Sequence, residues 1–408
     1  MANILNLPNL RPSLLLDFAN SGRVDPRINF ARAAAASRWN AAGLQESVAA
    51  GVPRIDHDPV TGKCLGLLVE EARTNSIVSS GDLSQSAWAK TRTTATAPDA
   101  DGFCKVVEAA VNDSHLVSQT VTITAADRVV RLILKAGERT RAQVEFTGNT
   151  GNAGRRVWID LVAGTVLSNT VIGSGGLTAS SVSARLIGTG ITELTIYIAP
   201  TTTTGSSANL VIALHDGAGV VYQGDGASGI YIKNVQLEGG GAPSSYIPTT
   251  TAAATRAAES PYIDVSPDWY NPAGGTLLVE AIAPNSIQSF ARIASLERPG
   301  VNVLSIQRVQ DTVSSTARGY FEGASIVAGA ASFPPSVPVK VALAGAPGDF
   351  ALSASGSIFT SSLGAFGVPT QLRLGTSISG LSHLNGHIQR VAYYPRRLTN
   401  AQLQRLTA

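Results

Sequence analysis

His57 lies between Asp56 and Asp58, three donors that would suit a divalent cation if they reached one point. Neighbouring residues of a strand face opposite sides, so they do not converge. Asp58-Pro59 followed by Thr61-Gly62 reads instead as a turn held by Asx-type hydrogen bonds. His383 and His387 are four apart, a useful spacing only on a helix, and Gly386 lies in sequence that predicts a strand. His115 and His215 are isolated. Gly173, Gly175 and Gly176 lie between strand-like runs with no helix after them, so they form no phosphate cradle. No Ser-His-Asp set can be assembled. Glycoside hydrolysis needs two carboxylates roughly 5–9 Å apart across the sugar. Beyond the first eighty residues the acids are sparse, and Asp216, Asp225 and Asp311 sit in turn-like contexts. The sequence therefore predicts no catalytic residue, no metal site and no cofactor.

Sugar binding asks for less: an aromatic face to stack on a pyranose and a few short polar groups beside it. The aromatics placed in strand-like or turn-edge sequence are Trp88, Trp158, Tyr222 and Tyr231, then Trp269, Tyr270 and Tyr320. Of these, Trp158, Trp88, Trp269 and Tyr320 are the candidate glycan contacts. Aromatic residues are only 6% of the chain, too few for a rich lectin platform, and core packing competes for each of them. Trp158 stands out because Val157 and Ile159 claim the opposite, inward face of its strand.

The elements that must position these residues are strands. Glycine is frequent (40 residues), charged residues make up only 14%, and Ser and Thr abound, a composition that favours many short strands joined by tight turns. At 408 residues, two or three domains are expected. Residues 1–80 are dense in turn signals and charge and read as an irregular platform of short strands, with one brief helix permitted near Ala31–Ala36 and an arm at residues 1–13. Period-two alternation then becomes clean. Val130, Leu132 and Leu134 share a face, as do Val144 and Phe146; Val157, Ile159 and Leu161; and Leu194, Ile196 and Ile198. Residues 81–248 are therefore expected to form an antiparallel β-sandwich or jelly roll, 249–257 a linker, and 258–408 a second sandwich closed by a short helix that Thr399 or Asn400 caps. The fold class is mostly β, a small platform followed by two antiparallel sandwiches. A net charge of +3 gives no basis for nucleic-acid binding, and the arginines at 139, 141, 155, 156, 390, 396 and 397 read as solvated faces. Cys64 and Cys104 read as small apolar residues. No apolar run reaches membrane-spanning length, and residues 1–18 lack the pattern of a signal peptide, so no membrane insertion is expected.

Leu16-Asp17-Phe18-Ala19-Asn20, Val24 to Ile28, Val52-Pro53-Arg54 through Asp56, Asp58-Pro59 and Thr61-Gly62, and Leu67 to Asn75 together resemble a module near the N-terminus of tailed-phage and prophage tail-fibre or minor-tail proteins. Ala87-Trp88, Gln236-Leu237-Glu238 and Ser245 to Thr249 are similar to carbohydrate-binding-module-like domains that follow this module. The ending Gly386-x-Ile388-x-x-Val391-x-x-Tyr394, then Arg396-x-Leu398-Thr399, resembles concanavalin-A-like (laminin-G-like) domains. These resemblances imply a short tail fibre or spike, made in a bacterial cytoplasm and resident in the virion. They imply attachment to tail, baseplate or capsid proteins through motif residues Asp17, Phe18, Arg27, Arg54, Asp58 and Arg73. They further imply adsorption to host surface polysaccharide and a homo-oligomer, with a trimer favoured. A passive adaptor without ligand, and a polysaccharide hydrolase with its carboxylate pair on the sheet of residues 258–408, are the alternatives.

Overall fold

The computed structural model describes residues 10–122, 128–148, 154–173, 177–200, 207–284, 290–310, 315–322, 324–326, 332–362 and 366–408. Gly175, Gly176, Asp311 and the first nine residues of the expected arm lie outside them. The chain is mostly β, with all strand pairs among the described residues antiparallel, and it divides into two compact units. One comprises Met1–Ala72 with Ala257–Ala408, the other Arg73–Arg256. This differs from the four-part division expected from the sequence: the expected platform contributes strands to the same sheet as the last third of the chain.

In the first unit, an eight-stranded sheet runs Ser357–Ser361, Asp349–Ala354, Val339–Ala346, Gly275–Ile282, Gly386–Tyr394, Cys64–Val69, Arg54–His57. Leu14–Asp17 also pairs with Gly386–Tyr394, at Val391 to Tyr393 and Arg390. Gly66 lets Cys64–Val69 approach closely: its φ is +105°, and a Cβ there would lie 2.2 Å from the Ile388 carbonyl oxygen. A six-stranded sheet (Tyr262–Asp264, Gln371–Leu374, Phe290–Arg298, Val301–Gln310, Ser315–Phe321, Ala324–Ile326) covers one face. Alternating residues of both sheets fill the core, among them Leu16, Leu67, Val279, Leu343, Leu296, Leu304 and Tyr393, joined by Phe18 from a helical turn. Helix Asn400–Thr407, whose N-cap is Thr399 in a reciprocal capping box with Gln402, packs Leu403 and Leu406 on the other face, against Leu278, Ala342 and Tyr394. Ala31–Ala36 is not helical; the short helical turn is Phe18–Ser21.

A buried ion cluster lies within this unit. Glu259 Oε1 accepts from Arg32 Nη1 and Arg54 Nε, each at 2.8 Å, and Oε2 accepts from Arg54 Nη2 (2.8 Å) and the Glu70 amide (3.0 Å). Arg54 also bonds Glu70 Oε2 (2.7 Å) and the Ser37 carbonyl (2.7 Å). Burial alone would lower the Arg54 pKa, but the charges of Glu70 and Glu259 outweigh it and raise the value.

The second unit is a sandwich of two six-stranded sheets. One runs Thr165–Ile172, Gly154–Asp160, Arg141–Gly148, Ser207–His215, Leu116–Thr122, Ala89–Thr91, and the other Leu177–Gly188, Ile191–Pro200, Arg128–Lys135, Gly229–Gly239, Cys104–Glu108, Thr93–Ala95. Its core holds the alternating residues read from the sequence, Val130, Leu132, Leu134, Val144, Phe146, Val157, Ile159, Leu194 and Ile196 among them. The expected linker 249–257 contains strand Ala254–Arg256, which pairs with Arg73–Asn75, and Thr249 is buried with its hydroxyl donating to the Ile77 carbonyl (2.6 Å). On the outer face of the second sheet, buried Glu193 receives Arg131 Nε (2.7 Å) and Arg185 Nε (2.7 Å). Burial opposes its charge, yet the two guanidinium groups prevail and bring its pKa down to about 2.

Two predictions follow from these charges. Glu259→Ala takes the shared carboxylate from two buried guanidinium groups and should cost about 3–5 kcal/mol, whereas Arg27→Ala removes an exposed pair with Asp25 and should cost at most about 1 kcal/mol. Equal shifts of the urea midpoint would refute the ordering. Glu193 has a folded pKa below its unfolded value of about 4.3, so its stabilisation is present above that value and is lost as pH falls towards about 2. The stability gap between wild type and Glu193→Gln should narrow over that range; a constant gap would contradict it.

Candidate functional site

The outer face of the sheet carrying Gly154–Asp160 is where an aromatic side chain remains open. Val157 and Ile159 point into the core, so Trp158 between them points outward and is half-buried. In register beside it lie Gln143 on one side and Ser168 on the other. Trp158 Nε1–H donates to Gln143 Oε1 at 2.7 Å, which fixes the indole plane and satisfies its donor. A register shift between Trp158 and Ile159 loosens the pairing with the edge strand Thr165–Ile172 at this point.

His215, in register with Arg141, packs edge-on to Trp158, with ring centroids 5.0 Å apart at 68°. Its Nδ1 accepts from the Gly217 amide (2.9 Å), which places the ring hydrogen on Nε2. That buried N–H has no hydrogen-bond acceptor among the described residues. Burial pushes the His215 pKa down; Asp216 raises it and Arg141 lowers it, and the result stays below the ordinary histidine value. The imidazole is therefore neutral at pH 7. Two residues along the strands from Trp158, Arg156 pairs with Glu145 at 2.8 Å. The arrangement offers a half-buried flat ring, braced from beneath by the buried side chains of Gln143 and His215, and a charged rim. It can stack on a polar ring, and it holds no acid–base pair.

The other aromatic candidates are placed differently. Trp88 is 2% exposed and donates to the Ser79 carbonyl (3.1 Å), so it has no face open to a ligand. Trp269 is buried edge-on to Tyr270 and Tyr393 in the first unit's core. Tyr320 is half-buried on the outer face of that unit's six-stranded sheet, between Ser305 and Ser325. Tyr222 is buried, with its hydroxyl donating to Glu108 (2.6 Å).

The six motif residues expected to attach the chain form no common surface. Phe18 and Arg54 are buried. Asp17 accepts from the Asn20 amide and lies 3.3 Å from Arg390, and Asp58 accepts from Val60, Thr61 and the Thr61 hydroxyl. Arg27 is exposed and paired with Asp25. Arg73 belongs to the second unit, where a Cβ on Gly240 (φ +114°) would collide with its guanidinium. Sequence reasoning did not find the pairing of Asp56 with His387 (2.8 Å), which no local pattern signals. Among the described residues no cluster of His, Cys, Asp and Glu could hold a metal ion. On the outer face of the first unit's six-stranded sheet, Glu297 Oε1 accepts from Arg292 (3.1 Å) and the Ser295 hydroxyl (2.5 Å), and Oε2 accepts from the Ile378 amide (2.7 Å). Both oxygens of that carboxylate are thus committed to the fold.

No protein family and no curated protein matches the chain. Among solved structures, it is similar to the heptameric SAP-like pentraxin of Limulus polyphemus, at 12% identity and TM-score 0.26, covering 32% of this chain and 68% of that one. It is similar to the CBM40 of Ruminococcus gnavus IT-sialidase at 16% identity and TM-score 0.24, covering 34% and 84%. It is also similar to Trypanosoma rangeli sialidase at 12% identity and TM-score 0.30, covering 78% of this chain and 62%, less than two thirds, of that one. Likeness at this level carries no argument about this chain.

Proposed function

We propose that this chain is a non-catalytic structural protein of a phage-like virion, a short tail fibre or spike that adsorbs to glycan on the host surface. The observation that carries the reading is Trp158: its indole is held by Gln143 and flanked by neutral His215 on an open sheet face, while Trp88 and Trp269 are buried. An aromatic fixed in this way stacks on the apolar side of a pyranose. The virion location, the tail, baseplate or capsid partners and the homo-oligomeric, trimer-favoured state rest on the resemblance of the N-terminal motifs to tail-fibre modules. Several copies on one particle would convert weak single-site contacts into firm adsorption.

The test is binding of the full chain to a glycan array and to whole bacterial cells. Trp158→Ala should weaken single-site affinity about five- to tenfold, the loss of one aromatic contact worth about 1 kcal/mol, and should reduce cell adsorption further. Trp158→Ala binding as tightly as wild type would remove this site. Shortening of a bound polysaccharide by the wild-type chain would establish the hydrolase instead. Absence of all binding would leave a virion adaptor.

A further inference from the structure

The opposite sheet of the same unit carries a second group of side chains that its fold does not explain. On its outer face Lys135, Tyr231 and Lys105 stand side by side in register. Lys233 follows two residues after Tyr231, and Phe103 precedes Cys104–Glu108. A bulge opposite Leu132, with Asn234 at φ 55°, shifts the phase of Gly229–Gly239 so that Val235 and Leu237 enter the core while Tyr231 and Lys233 stay outside.

Ammonium groups and rings interleave here. Lys135 Nζ lies 5.1 Å from the Tyr231 ring centroid and 5.3 Å from that of Phe103. Lys233 Nζ lies 4.2 Å from Phe103, and Lys105 Nζ lies 5.8 Å from Tyr231. Three cations thus share two rings, at distances where the ring quadrupole attracts them. Their other partners do not balance the charge. Lys105 pairs with Glu138 (2.9 Å), Lys233 donates to the Asp101 carbonyl (3.1 Å), and Lys135 has no hydrogen bond or ion pair among the described residues. Burial lowers the Lys233 pKa against the raising effects of Asp101 and Asp99, and Lys135 adds a smaller lowering. Like charges held together and partly dehydrated, with Glu138 the one carboxylate in ion-pair contact among the described residues, form a place where an incoming anion gains charge-assisted hydrogen bonds from several donors at once.

We propose that Lys105, Lys135 and Lys233, set over Phe103 and Tyr231, bind the acidic group of an anionic host polysaccharide. This inference rests on the glycan-adsorption reading above and gives it a ligand class, an acidic rather than a neutral glycan. A nucleic acid fits less well. Three lysines make a spot and not a backbone-length stripe, net charge is only +3, and the lysines occupy the ring surfaces on which bases would stack.

The experiment titrates the full chain with polygalacturonate, with dextran of similar size, with polyphosphate and with a DNA duplex, alongside adsorption to bacterial cells. Wild type should bind polygalacturonate in a salt-sensitive way and more tightly than dextran. Lys135→Gln/Lys233→Gln should lose tenfold or more of that affinity, Lys135→Arg/Lys233→Arg should retain most of it, and the charge-matched Lys63→Gln/Lys90→Gln should match wild type. Unchanged polygalacturonate binding by the double glutamine variant overturns the proposal, as does tighter binding of polyphosphate or DNA than of polygalacturonate. Cell adsorption that Trp158→Ala abolishes and the double glutamine variant leaves intact overturns the lysine site but preserves the adsorption reading. Wild type that binds no polymer and no cell overturns both.

Discussion

The carboxylate of Glu259 is the contact on which the first unit depends. It receives two guanidinium groups and a backbone amide with no exposure to water, and each donor comes from a different part of the N-terminal segment: Arg32 before hairpin Ala36–Trp39/Gln45–Val48, Arg54 at the start of a sheet strand, and Glu70 after the next one. Arg32 in turn donates to the carbonyls of Ala34, Val48 and Ala49, and Arg54 to that of Ser37. One charge therefore organises a segment that has few large apolar residues of its own. A buried ion pair adds little net stability compared with apolar packing, but an incomplete one is severely unfavourable. The cluster consequently selects one arrangement of residues 32–70 against residue 259 and disfavours every other.

This constraint gives the N-terminal motifs a physical role. Leu16 and Phe18 enter the sandwich core, Arg54 enters the ion cluster, and Asp58 closes a turn. The residue types that resemble a tail-fibre module are those that the first unit needs in order to complete its eight-stranded sheet. Arg27, exposed beside Asp25, is the exception among them within this unit.

Alternation made much of the fold legible. Where apolar residues recur every second position, as at Val130–Leu134 or Val157–Leu161, the inward set in the structure is the set read from the sequence. The same logic singled out Trp158, because its two neighbours fixed the inward face. It could not place Trp88 or Trp269, which sit in turns where no alternating frame surrounds them. Pairings between distant segments were also invisible. Leu14–Asp17 lies against residues 390–393, and strand Ala254–Arg256 returns to Arg73–Asn75, so the unit boundaries follow contacts with no local signature. The partners of Arg54 and the Asp56–His387 pair were hidden for the same reason.

Strand order also decides what the second unit presents to solvent. Lys105, Lys135 and Lys233 are far apart in sequence, and only the neighbouring positions of their three strands bring them over the same rings. Trp158 stands on the other sheet. The outer faces of a two-sheet sandwich point away from each other, so the indole and the lysines cannot grip the same sugar residue. An aromatic face selects ring shape and tolerates neutral sugars, while an ammonium cluster selects charge and weakens with salt. A polymer that touched both would have to pass around the sandwich edge, and separate polymer strands on a dense cell surface meet that geometry more readily. If the proposed adsorption holds, two such contacts on each copy of a multivalent assembly would make firm attachment compatible with weak individual sites.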